Sequence, residues 1–364
     1  MPDVRPSLLL VDDDQVQLAT LTADLESRLA NLNVDVRPWS PEEHDKPLQK
    51  LQELVDETTV LIVTDYDLTR RGQTGFFGPT VVGWSQQRAI PVGDFSRKTV
   101  DALPKEPNFF ELRVPADGTA AAFIEQAFRG FHAIRTAILD DRDTYLPLRS
   151  PASVLATLLG RPEMESQLAL YSPAFGATSG ALLQRVRATA PEELEPTDSE
   201  KLGLIAYVAG HLLLNAVLKY PGPILHEKAL CAYFACDAAG FDRLAGIFED
   251  ARYEGPFAAS GSFFWRDRID DRLETLGEGL DDEAETIGAL NRAIAERQLG
   301  EALPRHDCSR CNGDNGGFYC PFTHRPVCVR SDCSISSSSW VPDGARACRV
   351  ESGFYEEWAP LLGL

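Results

Sequence analysis

A chain of 364 residues exceeds what one ordinary core organises and points to two or three domains. A hydrophobic fraction of 44% excludes wholesale disorder, and no apolar run reaches the ~20 residues of a membrane helix. The formal net charge of −20 counts against a nucleic-acid partner, which needs concentrated Lys and Arg, while leaving room for a small basic patch.

The N-terminus runs into a strand with no charged-then-apolar leader, so a cytoplasmic location is expected by default. Ser7–Val11 (SLLLV) is a continuous apolar run ending in Asp12-Asp13-Asp14 and reads as a buried parallel strand. Val16, Leu18, Leu21, Leu25, Leu29 and Leu32 then recur mostly at helical spacing. Val34–Trp39 predicts a second strand, and Ser40-Pro41-Glu42-Glu43 a helix start with its cap and first-turn acids. Thr59–Thr64 (TVLIVT) is a third strand that stops at Asp65. Ile90–Phe95 and Phe109–Val114 are a fourth and a fifth, and Thr119–Leu139 a long helix. Strands alternating with helices predict a doubly wound parallel sheet.

In such a sheet, ligands lie outside the carboxyl ends of the strands. Asp12 and Asp13 follow the first strand and Asp65 ends the third. Carboxylates brought that close raise one another's pKa unless a cation compensates, and a hard dication such as Mg²⁺ is the natural neutraliser. The alternative is that Asp12 and Asp13 only cap the first helix.

LLLVDDD, LIVTDYDL, PVGDFS and FELRVP, in this order and spacing, resemble the receiver domain of two-component response regulators over roughly residues 7–140. The resemblance implies a flavodoxin-like fold with Mg²⁺ held by Asp12 and Asp13 beside Asp65. It makes Asp65 the acceptor of a phosphoryl group from a histidine kinase, and Ser96 the hydroxyl that moves toward the acylphosphate. The family's lysine after the fifth strand is Arg113 here, and the family's Met-Pro and Gly after the acceptor become Asp67-Leu68-Thr69-Arg70-Arg71-Gly72. Two readings therefore stand: a working phosphoacceptor, and a pseudo-receiver kept as a docking surface for another protein.

Residues 146–300 read as a mainly helical domain. Leu202–Leu218, broken only by His211 and Asn215, is a buried helix that the Pro221-Gly222-Pro223 turn ends. Helices near His226–Cys236 and Phe241–Arg252 and a possible hairpin over Tyr253–Phe264 follow, the outline of a winged helix. Its second helix carries Asp242, Glu249 and Asp250 against Arg243 and Arg252, a poor surface for phosphates, so a transcription regulator ranks behind a partner-binding module.

The tail, residues 301–364, holds six of the eight cysteines. Cys308-Ser309-Arg310-Cys311 is a knuckle that supplies two ligands of a tetrahedral Zn²⁺ site. Cys320 and Cys328, flanking a short hairpin, are expected to complete it, with Cys333, Cys348, His306 and His324 as alternatives. A segment so poor in aliphatics needs a staple, and metal binding supplies folding free energy directly. A thioredoxin-like redox role needs the knuckle at the start of a helix, and that context is lacking. The expected whole is a signalling protein with at most self-phosphorylation chemistry, or alternatively a non-enzymatic scaffold subunit of a multi-protein assembly, in three parts, 1–145, 146–300 and 301–364.

Overall fold

A computed structural model describes residues 5–41, 46–68, 77–95, 109–171, 197–278, 286–313, 317–336 and 340–362. These residues divide into two compact units: one runs through residue 150 and takes in 197–211, and the other holds 151–171 and everything from 212 on.

In the first unit, β1 (Ser7–Val11), β2 (Asp35–Trp39), β3 (Thr59–Thr64), β4 (Val92–Phe95) and β5 (Leu112–Val114) form one parallel sheet in the order β2-β1-β3-β4-β5. Every residue of β1 and β3 is buried, as continuous apolar runs require when helices cover both faces. On one face Leu9, Val11, Ile62 and Val92 meet Leu51 of α2 (Pro47–Leu54) and Val81, Val82 and Trp84 of α3 (Gly78–Gln87). α1 (Gln15–Arg28) and α4 (Ala120–Asp140) pack on each other, and α4 also packs on β3 and β5. The α/β doubly wound arrangement expected from the alternating pattern is present.

A 3₁₀ turn opens at Pro41, as the Ser40-Pro41 start predicts, residues 42–45 lie outside the described ones, and the α-helix begins at Pro47. Two expectations shift. β4 and β5 are shorter than the apolar runs that announced them. The cap of α1 is Asp14, whose carboxylate accepts the N–H of Val16 (3.0 Å) and Gln17 (3.1 Å). Asp12 instead accepts the Asp14 N–H (2.7 Å), ahead of those bonds in the chain.

The helix Asp198–Leu212 carries Tyr207 and His211 into this first unit. Tyr207 stacks on Phe110 (centroids 4.9 Å, planes 16° apart), and His211 sits without exposure against Phe110, Phe131 and Tyr207. Gly210 permits that approach, since a Cβ there would lie 2.5 Å from the Phe131 ring. Burial holds the His211 imidazole neutral, its pKa lowered to about 3. This is the core histidine that its leucine-rich setting predicts.

The second unit joins 151–171 and the stretch from 212 on to the tail, across the boundary that the sequence suggests at residue 300. One core contains Leu230, Phe234, Phe248 and Phe264 from the helical stretch together with Leu303, Tyr319 and Ala347 from the tail. The tail has too few aliphatic side chains to close a core of its own, so it completes its neighbour's. β6 (Ile224–His226) pairs antiparallel with β7 (Phe263–Trp265), and short helices lie between them. The predicted hairpin over Tyr253–Phe264 closes through one bridge, Arg252 to Phe264, because the main partner of β7 is β6. β8 (Phe318–Cys320) pairs with β9 (Arg325–Val327), and β10 (Ser334–Ile335) with β11 (Val350–Glu351). Among the described residues no helix is long and apolar enough to cross a membrane.

Candidate cation-binding sites

The carboxylate pocket follows from strand register. Val11 and Thr64 are cross-strand partners, so the next residues, Asp12 and Asp65, leave the sheet side by side. The ladder continues past the strand ends: the Asp65 N–H donates to the Val11 carbonyl (2.8 Å) and the Asp12 N–H to that of Trp39 (3.2 Å). Carboxylate oxygens of Asp12, Asp13 and Asp65 lie within 4.8 Å of one another. The chain returning through Gly78 presses on this point, where a Cβ would stand 2.2 Å from the Asp65 carbonyl. Only glycine fits that position without displacing the residue that ends β3.

Asp12 and Asp13 are buried and Asp65 is half-buried. Burial pushes the Asp12 carboxyl up to about 6; the Asp14 N–H bonded to it opposes the rise, and the charges of Asp65 and Asp13 add to it. Two carboxylates at such a separation repel by roughly 3 kcal/mol at the effective dielectric of a protein. A hard dication removes that repulsion and satisfies the oxygens, so the residues present fit Mg²⁺. Arg113 stands on β5 in register with Asp94, which is in register with Thr64, two strands away from the β3 end that bears Asp65. Ser96 lies outside the described residues.

The thiol site has a different construction. The Sγ atoms of Cys308, Cys311, Cys328 and Cys333 lie within 4.8 Å of one another, and those of Cys311 and Cys328 are 3.8 Å apart. A tetrahedron with metal–sulfur bonds of about 2.3 Å has sulfur–sulfur edges of about 3.8 Å. The four thiols could therefore hold one metal ion such as zinc. Two knuckles position them. In the first, the Cys308 N–H donates to the Gly313 carbonyl (2.7 Å) and the Asn312 N–H to that of Cys308 (2.9 Å), with Asn312 left-handed at φ 54°. In the second, the Cys333 N–H donates to the Arg330 carbonyl (2.9 Å), and the Ser334 hydroxyl to that of Cys328 (2.5 Å). The Ser309 N–H ties the first knuckle to β9 through the Pro326 carbonyl (3.1 Å).

Cys311, the least buried of the four, is lowered to about 7 by the Gly313 N–H above all, with Arg330 among the contributors. Burial raises Cys328. Cys231 and Cys236, away from this site, are pushed up by burial to about 12 and about 11 and read as inert core thiols.

Cys333 thus takes the place expected of Cys320. Register gives the reason: Cys320 pairs with Arg325 at the turn end of the hairpin, while Cys328 follows Val327, which pairs with Phe318 at the open end. At ~3.4 Å per residue the two ends are roughly 10 Å apart, so one hairpin cannot present both to one ion. The Cys320 sulfur instead accepts the Glu351 N–H (3.3 Å). Cys348 lies 3.6 Å from the Pro221 carbonyl. His324 Nδ1 meets the Tyr319 hydroxyl at 2.6 Å, and His306 is 3.9 Å from Asp237. None of these alternatives joins the cluster. The Cys-x₄-Cys spacing of Cys328 and Cys333 was the signal for a second knuckle.

Compared with family models, curated proteins and solved structures, the chain matches none of them.

Proposed function

We propose that the protein is a signalling component whose receiver-like pocket accepts a phosphoryl group on Asp65, with Mg²⁺ held by Asp12 and Asp13 and a structural zinc held by Cys308, Cys311, Cys328 and Cys333. The observation that supports it most is the convergence of three carboxylates from two adjacent parallel strand ends. When bound, Mg²⁺ supplies positive charge beside the phosphoryl oxygens. Asp12 and Asp13, buried and aimed at one point, position that charge. Asp65, the most accessible of the three, is the nucleophile: its carboxylate oxygen bonds to phosphorus as the donor's phosphorus–nitrogen bond breaks, and the departing imidazole keeps the bonding pair. The acylphosphate would shift the balance between two states of the chain and alter which partner it binds.

A second reading, a pseudo-receiver that docks a protein partner without phosphorylation, is favoured by Arg113, whose planar fork does not place charge as a compact ammonium does. Intact mass after incubation with a small phosphodonor and Mg²⁺ separates the two. One phosphoryl adduct on the wild type, missing from Asp65→Asn and from a metal-free sample, is the expected result. No adduct where a control receiver is modified would leave the docking reading in its place.

A further inference from the structure

One face of the second unit runs against the net charge of the chain. The helix Glu227–Tyr233 packs on both strands of the β8–β9 hairpin. Its exposed Lys228 therefore shares a surface with the hairpin turn, where His324 and Arg325 are exposed. Lys219 belongs to the same surface, since its ammonium stands over the Tyr220 ring beside Phe322 of the hairpin turn. Burial lowers the His324 imidazole, and the positive charges of Lys228 and Lys219 lower it further. Among the described residues neither Lys228 nor Arg325 forms an ion pair with a carboxylate. Glu227, the one acid beside Lys228 in the helix's first turn, is exposed.

Aromatic rings lie between these cations. Tyr220 and Phe322, both half-buried, have centroids 6.5 Å apart, and the Lys219 ammonium stands 5.2 Å over the Tyr220 ring. Phe322 is backed by Phe354, stacked at 5.1 Å with planes 9° apart, which fixes its orientation. A lone basic patch fits any polyanion. Fixed rings interleaved with cations fit an anion that carries π-faces along its length, which describes unpaired nucleotides. A duplex hides its base faces in the stack. The helix Phe241–Ile247, which would have to enter a groove, carries Asp242 in its first turn. The −20 of the whole chain does not abolish such a patch, because charges farther than ~8 Å are largely screened at physiological salt.

We propose that this face, formed by Lys219, Tyr220, Lys228, Phe322, His324 and Arg325, binds single-stranded nucleic acid, with bases on the rings and phosphates on the cations. It is independent of the carboxylate pocket and would stand if Asp65 proved inert.

The test is fluorescence anisotropy of a labelled thymidine oligonucleotide of about 12 residues, titrated with the full-length, zinc-loaded protein at low salt. Saturable binding is expected, weakening with salt at a logarithmic slope of roughly −2, as about three phosphate contacts would give. Lys228→Glu, an exposed first-turn change that the helix tolerates, should weaken binding at least tenfold and flatten the slope. Phe322→Ala should weaken it roughly 5- to 150-fold with the slope kept, the mark of lost stacking. Retained zinc and an unchanged circular dichroism spectrum confirm that each variant is folded. The proposal is overturned by absence of binding at about 50 mM salt, where phosphate contacts are strong. It is equally overturned by a folded Phe322→Ala that binds like wild type, or by duplex DNA or polyglutamate competing as well as unlabelled single strand.

Discussion

The two candidate cation sites are built on opposite principles. The carboxylate pocket hangs from a finished scaffold: Leu8, Leu9, Leu10 and Val11 of β1 are at most 1% exposed, and the ladder continues one bond beyond the strand. Its geometry is paid for by the sheet, and the ion would only relieve repulsion. The thiol site is held by turn hydrogen bonds and by single ties to short strands, such as Ser309 to Pro326 of β9. Its four sulfurs come from two turns, and the small cluster around them consists of the cysteines themselves. One site hangs from the sheet, whereas the other brings four thiols together from two turns.

Removing the metal should break this comparison most sharply. A chelator, or Cys308→Ser, is expected to open residues 305–351 to proteolysis and hydrogen exchange while leaving the β1–β5 sheet protected, since binding energy is folding energy in such a module. Within that test, Cys333→Ser should lose the bound zinc and Cys320→Ser should keep one ion per chain. The reverse outcome, read by metal analysis, would mean that the ligand set is wrong.

A smaller effect lies in the pH dependence of the carboxylate pocket. The folded Asp12 has its pKa raised to about 6 from 3.8, so it holds a proton more tightly than the unfolded chain between those values. Its burial therefore costs stability in full above pH 6, and that cost is relieved as pH falls toward 3.8. Mg²⁺ competes with the same proton. Its affinity should be flat above pH 6 and drop by up to about tenfold per unit below it. The stabilisation by Mg²⁺, followed as the difference in Tm with and without the ion, should accordingly be larger at pH 7.5 than at pH 5. His211, buried neutral, lowers stability as pH falls below 6.5 whether or not the ion is present, so it cancels in that difference.

The smallest effect concerns the cap. Asp14→Ala should cost about 1 kcal/mol in denaturant unfolding through loss of the two N–H bonds at the start of α1. Asp13→Ala, which removes no cap bond, should cost less in the absence of metal and should weaken Mg²⁺ binding more than Asp14→Ala does.

Where local chemistry decided the outcome, the sequence was readable. SLLLV and TVLIVT are strands because continuous apolar runs of that length bury both faces. Asp12 and Asp65 converge because both directly follow strands that lie side by side in the sheet. Pro at a helix start was readable at Ser40-Pro41, where a 3₁₀ turn opens, but the start of the α-helix at Pro47 was not marked out by a capping side chain. His211 was readable as a core residue from its leucine neighbours, though not its aromatic surroundings, which come from segments about 80 to 100 residues away.

By itself the sequence determined the alternating α/β unit, its acidic strand ends and a knuckle at Cys308 and Cys311, because period, punctuation and short spacings are local properties. Only the tertiary structure decided that Cys333 and not Cys320 faces that knuckle, because the choice depends on which end of a hairpin a residue reaches. It also decided that the tail shares the core of the helical segment, and that the helix bearing Lys228 packs on the β8–β9 hairpin while Tyr220 meets Phe322. Those are contacts between residues about a hundred positions apart, made by packing that no local pattern records.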